Sequence, residues 1–228
     1  HISNQYPAFV SKVEYIPTGY SSEYFKNNIA ILSLPFEDKV NEIVASGNFV
    51  VGYAGTIGFL NCVDEIIDAA KLLQDEAISF LIIGDGAVRT SLQKRVENEN
   101  IGNVHFFGAV QKDFVQHYLK RCHLLINPCK NLKIYRFGIS PNKWIDYMYS
   151  ARPIVVSYNG YQNIINEAGC GIFIEANNPG ILAQTILNFS KLPKDILEES
   201  GRRGKHFLEK NLSYETLSMK YLKIIDDL

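Results

Sequence analysis

From Phe49 onward, short apolar runs alternate with stretches whose apolar residues recur at helical spacing. The runs are "FVVGYAG", "ISFLIIGDG", "VHFFG", "HLLINP", "PIVVS" and "GIFIE", and their β-branched, nearly unbroken character predicts strands buried on both faces. Between them, 62–73, 87–98, 111–121, 141–150 and 161–168 predict helices; 178–190, 194–210 and 213–226 predict further helices with no strand after them. Strands separated by helices require right-handed crossovers, so the expected fold is α/β, a doubly wound parallel sheet of Rossmann-like type. Residues 1–48 fit less well: a polar start, then "VEYIPTGY", then a mixed segment up to Gly47, as though the chain began inside a linker.

Composition adjusts this picture only a little. With 228 residues, 46% hydrophobic and 21% charged, one sizeable core is expected. A formal charge of −1 provides no global attraction to nucleic acid, so no nucleic-acid partner is expected and an anion site must come from local cations. Ile43–Val63 is 21 residues without a charge, long enough to span a bilayer. Its four Gly and two Asn read better as a buried strand and turn, which leaves membrane contact at most peripheral. The four cysteines (62, 122, 129, 170) form no C-x-x-C pair, which fits a reducing, cytoplasmic setting. Cys122, His123 and Cys129 raise a metal site, but buried strand thiols account for them and no metal is expected.

Two stretches are candidates for phosphate binding. In "VVGYAGTIG" the glycines at 52, 55 and 58 resemble a dinucleotide turn, yet the chain runs on through Phe59 and Leu60 before a helix can start. Asn61 as N-cap and Asp64 as its capping-box partner would satisfy the orphan amides, with Glu65 beside them as a second carboxylate repelling phosphate. No Tyr-x-x-x-Lys pair occurs, so an NAD-binding module stands as an alternative only. In "RFGISPNKWIDYM" Ser140 is the expected N-cap and Pro141 the first helical residue, with the amides of Asn142 and Lys143 free. Asn142 and Asp146 share a helix face. Lys130, Lys133, Arg136 and Lys143 supply cations. A helix end contributes about 0.3–2 kcal/mol towards an anion and a charge-assisted hydrogen bond about 1.5–3 kcal/mol, so a diphosphate needs at least one of them. None of the histidines (1, 105, 117, 123, 206) has a catalytic setting.

Taken together, "VEYIPTGY", "VVGYAGTIG" with "DEIIDAAKLL", "LIIGDGAVRTSLQ", "VHFFGAV", "LLINP", "SPNKWIDYMYSARPIVVS" and "AGCGIFIE" resemble the carboxy-terminal half of a retaining family 4 glycosyltransferase of GT-B fold. "SPNK" followed by "DYM" is similar to the bacterial subgroup that transfers N-acetylated aminosugars such as fucosamine. The resemblance implies a linker or expression remnant over 1–12 and a donor-binding domain over 13–228, with an amino-terminal acceptor domain absent. It implies a nucleotide-sugar donor, UDP-linked by expectation, no other cofactor, and a glycan or lipid-linked acceptor. The activity is transfer of a hexosyl or N-acetylhexosaminyl group in surface polysaccharide assembly (lipopolysaccharide or capsule); a GT-B-type nucleotide-sugar epimerase is an alternative. The ribose-binding acidic residue of the family, seven before the Pro of a "PVV"-like strand, falls on Asp146; its first acidic residue, eight earlier, falls on Gly138. The diphosphate-gripping Arg and Lys fall on Thr56 and Asn61, so compensation by the 130–143 loop and by Arg89 is expected. The implied donor site is Gly55, Thr56, Gly58, Arg89, Gly108, Val110, Ser140, Asn142, Lys143 and Asp146, with the base near Phe107–Val110.

Overall fold

The computed structural model describes residues 5–25, 35–162 and 164–227; His1, Asn163 and the 26–34 part of the mixed segment lie outside them. Six strands, β1 (Phe49–Ala54), β2 (Ile78–Ile83), β3 (Val104–Phe107), β4 (Leu124–Pro128), β5 (Ile154–Ser157) and β6 (Gly171–Ile174), form one sheet in the order β3-β2-β1-β4-β5-β6. Every pairing is parallel, with β1 in register against β2 from Phe49↔Ile78 to Ala54↔Ile83 and against β4 at Val51↔Leu124. The helices are α1 (Glu37–Ala45), α2 (Val63–Leu72), α3 (Arg89–Asn98), α4 (Lys112–Leu119), α5 (Lys143–Tyr149), α6 (Ile164–Glu167), α7 (Pro179–Ser190), α8 (Lys194–Asn211) and α9 (Tyr214–Asp226). The α1 helix occupies part of the mixed segment before Gly47, for which no element was expected, and buries Val40 and Ile43 in the core.

The period of two along β1 sorts its side chains to opposite faces. Val50 and Ala54 pack with Tyr118, Trp144, Tyr147, Met148 and Leu208 on the side covered by α4, α5 and α8. Val51 and Tyr53 pack with Val63, Ile66, Ile67 and Leu182 on the side covered by α2 and α7. β1, β2, β4 and β5 are dry on both faces, which explains their continuous apolar runs, whereas the edge strands β3 and β6, expected to be buried likewise, are only partly covered because each has a neighbour on one side alone. The strand order reverses between β1 and β4, and the two strands diverge there at their carboxyl ends. Tyr147 fills the gap: its hydroxyl accepts from Ala54 N at 2.9 Å and lies 3.3 Å from the carbonyls of Ala54 and Ile126. In an open α/β sheet that reversal is where a ligand crevice forms. Among the described residues no helix is long and apolar enough to cross a membrane.

Candidate functional site

The crevice is built from three strand exits and the start of α5. Gly55 turns the chain out of β1 with φ +153, its amide donating to Ile83 O at 3.0 Å, while Ile57 N donates to Asp85 O at 2.8 Å. The β1–α2 and β2–α3 turns are thus hydrogen-bonded to each other beyond the sheet. At Gly84 a Cβ would overlap the Gly55 carbonyl, so the two backbones approach as closely as only glycine allows. A cleft of about 390 Å³ opens above these turns, lined by Gly55, Thr56, Asp85, Val110, Lys112, Lys143, Asp146 and Tyr147, among others. Beside it a second cavity, about 510 Å³, is lined by Asn61, Asn127, Cys129, Tyr135, Gly138, Ser140 and Lys143, among others.

Lys143 belongs to both cavities. Its ammonium donates to Asn61 Oδ1 at 2.8 Å and to the Tyr53 hydroxyl at 3.2 Å, and sits 4.6 Å from the centre of the Tyr53 ring. Burial drives its pKa down to about 8, because the charged form has given up water. Asp146, three residues along α5, has its carboxyl held above the usual range by burial, with Lys112 pulling the other way. An anion entering the junction of the two cavities therefore meets one partly dehydrated cation, with a carboxylate further along the cleft.

Several expectations are corrected. Asn61 does not cap α2: Cys62 holds the N-cap position in a left-handed conformation (φ 42, ψ 45) without a side-chain cap, and the Asn61 carboxamide is engaged by Lys143 instead. Ser140 does not cap α5 either. Trp144 N donates to Pro141 O and Ile145 N to Asn142 O, a tight turn that delays the helix to Lys143, and the Ser140 hydroxyl lies 3.3 Å from that of Thr18. Glu65 lines neither cavity; it is buried against the end of β5 and the segment that follows β6, accepting from Ser157 Oγ at 2.6 Å and Asn177 N at 3.3 Å. Of the loop cations only Lys143 reaches the cavities; Lys130 lies over the Phe59 ring and Arg136 over that of Phe137.

Of the ten residues put forward from the sequence, Gly55, Thr56, Val110, Lys143 and Asp146 line the smaller cleft, and Ser140 lines the larger cavity with Lys143. Arg89 pairs with Asp85 at 3.7 Å and flanks Gly108, so both stand beside the cleft rather than in its wall. Gly58 and Asn142 line neither cavity. Tyr53, Gly84, Asp85, Lys112 and Tyr147 complete the site without having been singled out for it, and Asn61, named as a helix cap and as the position of the family's lysine, joins them as an acceptor for Lys143. The "GDG" directly after β2 places Gly84 and Gly86 at a second strand exit and was the available signal for Gly84 and Asp85. All four cysteines are buried and unpaired, and among the described residues no group of three or more His, Cys, Asp or Glu is placed to hold a metal.

The family of glycosyl transferases group 1 matches residues 48–191. An uncharacterized glycosyltransferase of Methanocaldococcus jannaschii is 25% identical over 215 residues, 91% of this chain and 58% of that protein. A poly(ribitol-phosphate) alpha-N-acetylglucosaminyltransferase of Staphylococcus aureus is 24% identical over 190 residues, 78% of this chain and 35% of that protein. The chain thus spans about a third to three-fifths of the length of these two relatives. Anabaena HepE, solved with UDP-glucose, shares the fold with a TM-score of 0.68 at 15% identity, over 92% of this chain and 56% of that one. The doubly wound sheet is accordingly that of GT-B glycosyltransferase structures.

Proposed function

Because the chain belongs to the glycosyl transferases group 1 family, we propose that residues 13–228 are the nucleotide-sugar donor-binding half of a retaining family 4 transferase. The observation that carries this reading is the pair of cavities meeting at a single cation, Lys143. A nucleoside diphosphate sugar has the same layout: two neutral ends joined by a charged bridge. In this reading the base and ribose occupy the smaller cleft, the base against the backbone at Gly108–Val110 and the ribose hydroxyls on Asp146. The diphosphate lies over the Gly55–Thr56 bend within reach of Lys143, and the glycosyl group enters the larger cavity past Ser140. Lys143 then stands beside Asn61, the position at which the resemblance expects a lysine, so the charge comes from α5 instead of the β1–α2 turn.

The chemistry is cleavage of the bond between the anomeric carbon and the diphosphate oxygen, with the acceptor oxygen bonding on the same face. Charge develops on the departing diphosphate, and a fixed cation in a partly dehydrated site stabilises it more than it stabilises the intact donor. The larger cavity carries Ile134, Ile139 and Tyr135 and, among the described residues, no carboxylate, which suits a neutral glycosyl group such as an N-acetylated aminosugar of fucosamine type. The Staphylococcus relative, named for N-acetylglucosaminyl transfer to poly(ribitol-phosphate), supports the same substrate class, and a role in bacterial surface polysaccharide assembly belongs to the same reading. The acceptor would be a glycan or lipid-linked sugar held by an amino-terminal half, at the cytoplasmic side of the membrane. Calorimetric titration tests the reading: UDP and UDP-N-acetylglucosamine bind, NAD does not, and Lys143→Ala weakens UDP at least about tenfold, the value of one charge-assisted hydrogen bond. Binding of NAD in place of UDP, or an unchanged dissociation constant in the variant, overturns it.

A further inference from the structure

We propose that Tyr53 is a positioning residue for the donor site: its hydroxyl joins the Lys143 ammonium to the Thr56 carbonyl, so that the cation and the glycine bend beneath it are set as one unit. The inference rests on the reading of Lys143 as the cation for the diphosphate. Tyr53 is the penultimate residue of β1, and its side chain is 1% exposed within the apolar layer under α2. A phenylalanine would fill that layer equally well; the hydroxyl is the part the core does not need. It donates to Thr56 O at 2.7 Å and accepts from Lys143 Nζ at 3.2 Å, with the ammonium also 4.6 Å above the ring. A Cβ on Gly55 would sit 3.2 Å from Lys143 Cε and Nζ, so the lysine crosses the bend over a residue without a side chain to reach the phenol.

The consequence is preorganisation. A lysine ammonium has three N–H bonds; Asn61 and Tyr53 take two, leaving the third for a phosphate oxygen. A lysine free to rotate would lose its rotamers when the ligand binds, whereas this one has lost them on folding. The same phenol fixes the Thr56 carbonyl, and with it the bend on which the second phosphate rests. The ionisable groups around the ammonium keep their roles near neutral pH: burial pushes the Cys129 thiol up to about 11 and the Tyr53 phenol higher still, so both stay neutral, while Asp85, Lys112 and Asp146 line the wall of the cleft.

A double-mutant cycle on the 228-residue chain tests this, with UDP as the probe in calorimetry and thermal unfolding as the packing control. Tyr53→Phe is expected to weaken UDP about three- to tenfold, the range of a single hydrogen bond. In a Lys143→Met background the same change is expected to cost clearly less, because the part that acts through the lysine is gone and only the hold on the Thr56 carbonyl remains. A second readout needs no ligand: in lysine carrying carbon-13 at Cε, the titration midpoint of Lys143 falls in Tyr53→Phe, since an acceptor for the charged form is lost. Equal losses with and without Lys143, or an unmoved midpoint, overturn the proposal. Unchanged UDP affinity in Lys143→Met alone overturns the parent reading and removes the basis for a role of Tyr53.

Discussion

At the scale of the residue, Lys143 is expensive to keep. Burial pushes its ammonium down to about 8 from an ordinary 10.5, so the folded chain binds the proton less tightly than the unfolded chain does. The unfolded state therefore holds more protons between those values, and the lysine costs stability below pH 8, a cost that fades as pH rises towards 10.5. Lys143→Met is expected to be more stable than the wild type at pH 7 in urea unfolding, while binding UDP more weakly, the usual exchange of stability for function. Ligand binding has the opposite sign. A diphosphate next to the ammonium raises its pKa, so UDP affinity is full below pH 8 and falls as pH rises through 8 towards the bound value. A terminal phosphate with a pKa of about 6 is ionised throughout that range. Titrations from pH 7 to 10 check this directly. An affinity flat across the range would show that the proton on Lys143 is not linked to the ligand.

At the scale of the element, periodicity made the strands and helices legible almost in full. Expected 194–210 is observed as Lys194–Asn211, which buries Leu197, Gly201, Gly204 and Leu208 along one face, and expected 213–226 as Tyr214–Asp226, which buries only Leu217 and leaves Met219, Tyr221, Leu222 and Ile225 exposed. What periodicity does not carry is the junction between elements. The helix α5 begins at Lys143 and not beside Ser140, since the Pro141 and Asn142 carbonyls are spent on a tight turn, a choice of hydrogen-bond partners invisible in residue type. Asn61 and Glu65 were read as local groups at a helix start, yet one serves α5 and the other the end of β5, contacts set by tertiary packing. The glycine pair of turns was half legible: Gly55 stood out, Gly84 did not, although they matter to each other. Gly84→Ala puts a methyl into the Gly55 carbonyl at φ +142, and is expected to cost about 3 kcal/mol from overpacking and backbone strain combined. Gly102, with nothing within 4 Å of an added Cβ, is the control; Gly102→Ala is expected to stay within about 1 kcal/mol of wild type in the same denaturation series. Equal effects at the two sites would mean that the interlock of the turns carries no load.

At the scale of the whole molecule, the sheet reversal sets the proposed division of labour. Two cavities open on the carboxyl edge of the sheet and share Lys143, while Tyr147 closes the seam between β1 and β4 beneath them. A ligand spanning both cavities touches the β1, β2 and β3 exits and α5 at once, so it ties together parts of the fold that are far apart in sequence. Its binding free energy should then appear as global stability. At a hundredfold excess over the dissociation constant that gain is about 2.7 kcal/mol, and for a chain of this size each kcal/mol raises the melting temperature by about 2–4 °C. UDP is thus expected to raise the unfolding temperature by roughly 5–11 °C, with NAD at equal concentration leaving it unmoved. Transfer should behave differently, because the reading assigns the acceptor to an amino-terminal half: this chain alone is expected to show the full thermal shift with UDP and little sugar transfer. A chain that showed the shift and also transferred sugar at the rate of a protein carrying both halves would locate the acceptor on the donor domain itself, and the division would have to be redrawn.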